Sequence, residues 1–233
     1  MNNFCPYINE DGFITTKPNA NPKPGEGNGW MQTGLMLACF PNEYFQFVTA
    51  SKLQSTITRS IRDDNWLLWR SPYKKNPDDN ENFDDYWGYL YICKLLWRHG
   101  SIALLSYGIQ YNWCFDVQRP GKWSWRYWFG RFPQFAPFVR LCAFDEKPGF
   151  IDSAIFITSI FFDAMFIGSD SGNMKACIRV MALKGKDPAI DRACNFWISR
   201  IKKRYGKIGK SFVGYLDATH PLTEFDCDRF TIS

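Results

Sequence analysis

Between Phe150 and Gly168 the chain is almost uninterrupted hydrocarbon, broken by Asp152, Ser153, Thr158, Ser159 and Asp163. A run of this length has two outlets, a membrane span or a helix sunk into a protein core. The carboxylates oppose the span, because an Asp near the middle of a membrane helix costs about 2.5–3.5 kcal/mol. Asp152, Ser159, Asp163 and Asp170 also recur at steps of 7, 4 and 7, which places them on one stripe of a helix. The pattern predicts a buried helix with a polar edge and no membrane span.

The rest of the chain has to supply the core that buries it. At 233 residues the expectation is one domain, 1–233, with an irregular N-terminal arm over 1–29 and a tail over 207–233. Aromatic residues make up 18% of the sequence, and each ring buries roughly 150–250 Å², so most must be core and the surplus is expected at a cleft or an interface. The eight cysteines form no CxxC and accompany only two histidines, His99 and His220, which leaves no pattern for structural zinc. They sit in apolar stretches, as buried free thiols do. The polar start shows no secretory signal, which points to a reducing compartment.

Helical periodicity dominates. The first helix is expected from Trp30 to Cys39, and a second from about Asn42, its cap, to Ile61. Residues 62–82 read as a polar loop with an extended piece from Trp66 to Arg70. A third helix is expected over Phe83–Trp97 and ended by Gly100, with others over 101–113, 134–145, 149–167 and 171–184. Asp187 and Pro188 are a cap and a first-turn proline for a last helix with Ile190, Cys194, Trp197, Ile198, Ile201 and Tyr205 on one face. Residues 114–133, crowded with Trp and Arg, read as a packed-down lid or partner surface. The fold class is therefore mainly α, built from antiparallel helical hairpins with long aromatic loops.

Two polar junctions between loop and helix are the most site-like places. In the first, Glu26 precedes Gly27-Asn28-Gly29-Trp30, where glycines permit close backbone approach and helix N–H groups point at whatever approaches. In the second, Asp84 and Asp85 open a helix ahead of Tyr86 and Trp87. Each junction also has a plain reading: a turn at the start of a helix, and acids favoured by the helix dipole. The chemical reading pairs Glu26 with Asp84 or Asp85 as acid and base. Asn28, Trp30, Trp69, Arg70, Tyr86 and Trp87 would then bind a ligand such as a sugar ring. No phosphate-binding loop, dinucleotide fingerprint or serine elbow occurs, and His220 stands alone, so neither a cofactor nor a metal is expected.

Charge is segregated. Residues 175–210 carry eleven Lys or Arg against Asp187 and Asp191, while 62–85 hold seven acids against four bases. The basic run reads as a solvated face, and with no nucleic-acid motif beside it no nucleic-acid partner is expected.

The order Asp11-Gly12-Phe13-Ile14-Thr15-Thr16, the Gly-rich start of a helix, Trp69-Arg70-Ser71-Pro72 and Asp84-Asp85-Tyr86-Trp87-Gly88 resembles a poorly characterised family of short proteins encoded by tailed bacteriophages. Cys177-Ile178-Arg179-Val180 and the helix ending Lys202-Lys203-Arg204-Tyr205-Gly206 extend the resemblance into the C-terminal half. It implies a phage virion component, structural or accessory, made in the host bacterial cytoplasm. Its partners would be other virion proteins, with multiple copies in a symmetric assembly. The helical arrangement implied is similar to part of the (α/α) toroid of glycoside hydrolases and polysaccharide lyases, which carry acids at loop-to-helix junctions. A carbohydrate-active enzyme or glycan-binding module is the alternative expectation.

Overall fold

A computed structural model describes residues 8, 12–14, 29–39, 41–63, 66–69, 83–112, 115–116, 119–123, 132–167 and 170–205. Over these the chain is mainly α-helical: α1 Gly29–Cys39, α2 Pro41–Phe45, α3 Ala50–Thr58, α4 Phe83–Leu95, α5 His99–Asn112, α6 Phe132–Phe144, α7 Phe150–Met165, α8 Asp170–Leu183 and α9 Pro188–Tyr205. A short antiparallel ribbon, β1 Phe115–Asp116 and β2 Arg119–Trp123, lies between α5 and α6.

Three helices form the centre. In α1 every residue from Trp30 to Ala38 is buried, and in α4 every residue from Asp85 to Cys93. Helices apolar on all sides have no solvated face and must be enclosed. The two pack against each other and against α8, while α5 and α6 cover α4, and α7 and α9 pack together beside α8. The buried apolar residues form one cluster from Phe13 to Ile201.

Several helix ends have local reasons. Asp187 accepts the Ala189 N–H at 2.8 Å and caps α9, whose inner face is Ile190, Cys194, Trp197 and Ile201, as the sequence predicts. The helix expected over 42–61 is instead two pieces. Thr49 has extended backbone and its hydroxyl accepts the Lys52 N–H at 3.3 Å, so a new helix starts at Ala50. Gly100 does not end α4: it lies inside α5. Trp97 ends the segment in the left-handed region (φ 54°), with the Arg98 N–H reaching back to the Cys93 carbonyl at 2.8 Å. The extended piece is present as an antiparallel bridge, Ile61 to Leu68, and Leu67 and Leu68 are buried in the core.

The polar edge of α7 is where the sequence reading needs its main correction. Ser159 is buried, and Asp152 and Asp163 make ion pairs with Arg140 of α6 and Arg179 of α8. The charged stripe is thus turned toward the neighbouring helices. Phe156, Ile160 and Ala164 are buried, but Phe150, Ile151, Phe161, Phe162 and Met165 are exposed. The helix is half-buried, with hydrocarbon facing outward. Asp170 of the same stripe lies in α8, and its side chain is outside the described residues.

Candidate functional site

The helix starts that follow the two polar junctions meet. The first turn of α1 lies against the first turns of α4, and the Met31 N–H donates to Asp85 Oδ1 at 3.2 Å. An α-helix leaves its first N–H groups without intrahelical partners, and a carboxylate there satisfies one and suits the dipole. Asp85 therefore opens its own helix and caps the neighbouring one. The helices can come this close because Gly34 and Gly88 face each other at the crossing. A Cβ on Gly88 would overlap the Trp30 carbonyl, and one on Gly34 would overlap the Gly88 backbone.

The rings around this crossing are packed core. Trp30 is enclosed between Phe13 and Tyr89, edge-on at 4.3 and 4.9 Å, and its Nε1–H donates to the Trp69 carbonyl at 3.2 Å. The Arg62 guanidinium lies 4.4 Å above the Trp69 ring, so this side of the core is closed by a cation–π contact. Hydrogen bonds also tie the N-terminal arm here: the Ile14 N–H donates to Thr33 Oγ1 at 3.0 Å, and the Tyr44 hydroxyl donates to the Gly12 carbonyl.

Tyr86 and Trp87 point elsewhere. Trp87 packs on Phe135 and Phe138 of α6 at 5.3 and 4.7 Å, and Tyr86 is 6.2 Å from Phe135. Arg179 lies 5.6 Å from the Trp87 ring while it pairs with Asp163. Burial pushes the Asp163 carboxyl above its ordinary range although Arg179 pulls it down. The structure thus brings Trp30, Trp69 and Asp85 into one cluster and places Tyr86 and Trp87 against α6. All five are buried side chains. Glu26, Asn28 and Arg70 lie outside the described residues, as does the Asp84 side chain.

Two further features lie outside the polar junctions. The first is Asp145, which follows α6 and holds Lys94 of α4 at 2.9 Å and Lys186, between α8 and α9, at 2.7 Å. Burial raises its carboxyl, but the hydrogen bonds from Lys186 and Lys94 outweigh that and hold it below its ordinary range. Nothing local marks it, because both partners are remote in sequence. The second is the outward face of α7, continued by Phe166 and by Phe196 of α9, which stacks on Phe161 at 5.1 Å. Its signal was present: Ile151, Ala154, Thr158, Phe161 and Met165 fall at steps of 3, 4, 3 and 4, a second stripe on the same helix.

Four of the described thiols are poorly placed for nucleophilic chemistry. Burial pushes Cys39, Cys93 and Cys142 up, and Cys194 up to about 12, away from the reactive thiolate. Among the described residues no helix is long and apolar enough to cross a membrane, and no three His, Cys, Asp or Glu residues are grouped to hold a metal. Compared with known proteins, the chain matches no family model, no curated protein and no solved structure.

Proposed function

We propose that this chain is a structural or accessory component of a tailed-phage virion that binds other virion proteins through an aromatic-rich surface. The observation that carries the protein-binding part is the outward face of α7 and α9. Phe150 is 90% exposed, and Ile151, Phe162, Met165 and Phe166 are all more than half exposed. With about 150–250 Å² for each large side chain, the exposed part of this face is roughly 800 Å². The largest apolar patch on an ordinary monomer is about 300–600 Å². The virion setting rests on the resemblance in the Asp11–Thr16, Trp69–Pro72 and Asp84–Gly88 segments.

The test is composition of the mature particle. Density-gradient-purified virions should contain the chain in fixed stoichiometry, detected by mass spectrometry and surviving a high-salt wash. Particles that lack it would end the virion reading. The glycan-site reading requires an open, Trp-lined space between Glu26 and Asp84 or Asp85. No observation favours it, since Asp85 is enclosed beneath α1 and Trp30 and Trp69 are packed beside it.

A further inference from the structure

We infer that the outward face of α7 is the seat of a second copy of this chain, which packs α7 on α7 antiparallel about a two-fold axis near Thr158. The inference rests on the reading of this face as a docking surface and names its occupant.

Four observations single out a second copy. First, the exposed stripe holds no charge. The two charged residues of α7, Asp152 and Asp163, are turned inward onto Arg140 and Arg179. A face that meets itself across a two-fold axis must bring no like charges together. Second, the spacing is that of a helix-pairing seam, Ile151-Ala154-Thr158-Phe161-Met165, centred on Thr158. Third, the stripe is complementary to its own reverse. Antiparallel pairing lays Phe161 of one copy over Ala154 of the other, large on small, and Ile151 on Met165. Parallel pairing would set Phe161 on Phe161 and leave Ala154 facing Ala154. Fourth, the rim charges fit the same orientation. Arg200 marks the C-terminal end of α7 by donating to the Ala164 carbonyl at 3.3 Å, and Lys203 is exposed one turn further along α9. Glu146 is exposed just before α7, while Lys147 beside it is already paired with Asp187 at 3.0 Å. Reversal brings Glu146 of each copy toward Arg200 and Lys203 of the other, and sets the helix dipoles antiparallel. With the flanking Phe150, Phe162, Phe166 and Phe196 the exposed apolar area is of the order that stable interfaces bury, about 800 Å² per partner.

The experiment is sedimentation equilibrium on the full chain, with far-UV circular dichroism to confirm that each variant is folded. The wild type should be dimeric at micromolar concentration. T158R changes an exposed residue at the centre of the seam and should raise the dimer dissociation constant at least about 30-fold. I151K and M165E should each weaken the dimer, and the double variant I151K/M165E should restore it, because only antiparallel pairing opposes the two new charges. p-Benzoylphenylalanine at position 158 should form an intermolecular adduct within α7.

A wild type that stays monomeric to about 100 µM overturns the proposal. So does an unaffected T158R dimer, a double variant weaker than either single one, or a photoadduct confined within one chain. Depletion of a monomeric wild type by vesicles of phosphatidylcholine and phosphatidylglycerol, abolished in T158R, would assign the face to a membrane surface instead. The particle assay separates this inference from the proposed function. A monomer found in virions removes only the dimer, and a dimer absent from virions removes only the virion role.

Discussion

The α1–α4 crossing and the outward face of α7 invert each other. The crossing carries Gly34, Gly88 and the carboxylate of Asp85, yet it is fully enclosed. The α7 face is written in Phe, Ile and Met, yet it stands in solvent. Residue polarity and residue position have been exchanged, and the cause is the same in both places: a buried polar group needs a partner more than an apolar group needs burial. Asp85 is inside because the first turn of α1 offers it an N–H. Asp152 and Asp163 hold the polar edge of α7 inward because Arg140 and Arg179 wait there. Once that edge is committed, the opposite side of the helix must face out, whatever its composition.

Gly88→Ala pushes a methyl group into the Trp30 carbonyl, and the two backbones have no room to part. Urea denaturation should show a loss of at least about 3 kcal/mol, or no folded protein at all. A small effect would mean that the two backbones can part enough to admit the methyl group.

Asp85→Ala removes the carboxylate that receives the Met31 N–H and leaves a buried donor without it. The expected cost is about 2 kcal/mol of stability, read from the shift in denaturation midpoint. Full stability with loss of a glycan-cleaving activity would instead restore the catalytic reading of this junction.

Acid titration sharpens the contrast with ties nearer the surface. The Asp145 carboxyl is lowered in the folded state by Lys186 and Lys94. Its contribution is therefore fully present above the ordinary carboxylate range and is lost as pH falls through the lowered folded value. Asp145→Asn should flatten that acid limb, with a difference at neutral pH below about 1 kcal/mol because the site is partly exposed. Asp163 has the opposite sign. Its carboxyl is raised, so stability falls as pH rises from the unfolded value to the folded one.

The smallest effect belongs to α7. Met165→Ser on the outward face should change monomer stability by no more than about 0.5 kcal/mol. Ile160→Ala, on the inward face of the same helix, should cost about 2–5 kcal/mol. Equal losses from the two would show that the outward face is covered within one chain.

Much of the helical plan was legible because its causes are local. Asp187-Pro188 start α9, and the density of apolar residues in 83–95 requires an enclosed helix. The errors in the plan are local as well, but compete at closer range. Thr49 captures a cap inside a plausible long helix, and Trp97 adopts the left-handed turn that Gly100 was expected to supply. The two polar junctions were legible as a pair with two readings each, since capping and catalysis draw on the same residue types. For Asp85, the burial and the 3.2 Å bond to the Met31 N–H support the capping reading.

By itself, then, the amino-acid sequence determined a mainly helical chain, most of its helix limits, and the two stripes of α7. It could not determine which stripe faces inward. That choice depends on Arg140, 12 residues away, and Arg179, 16 residues away, each on another helix. Hydrophobic periodicity measures the contrast between two faces of a helix, and only the tertiary positions of the countercharges give that contrast a direction.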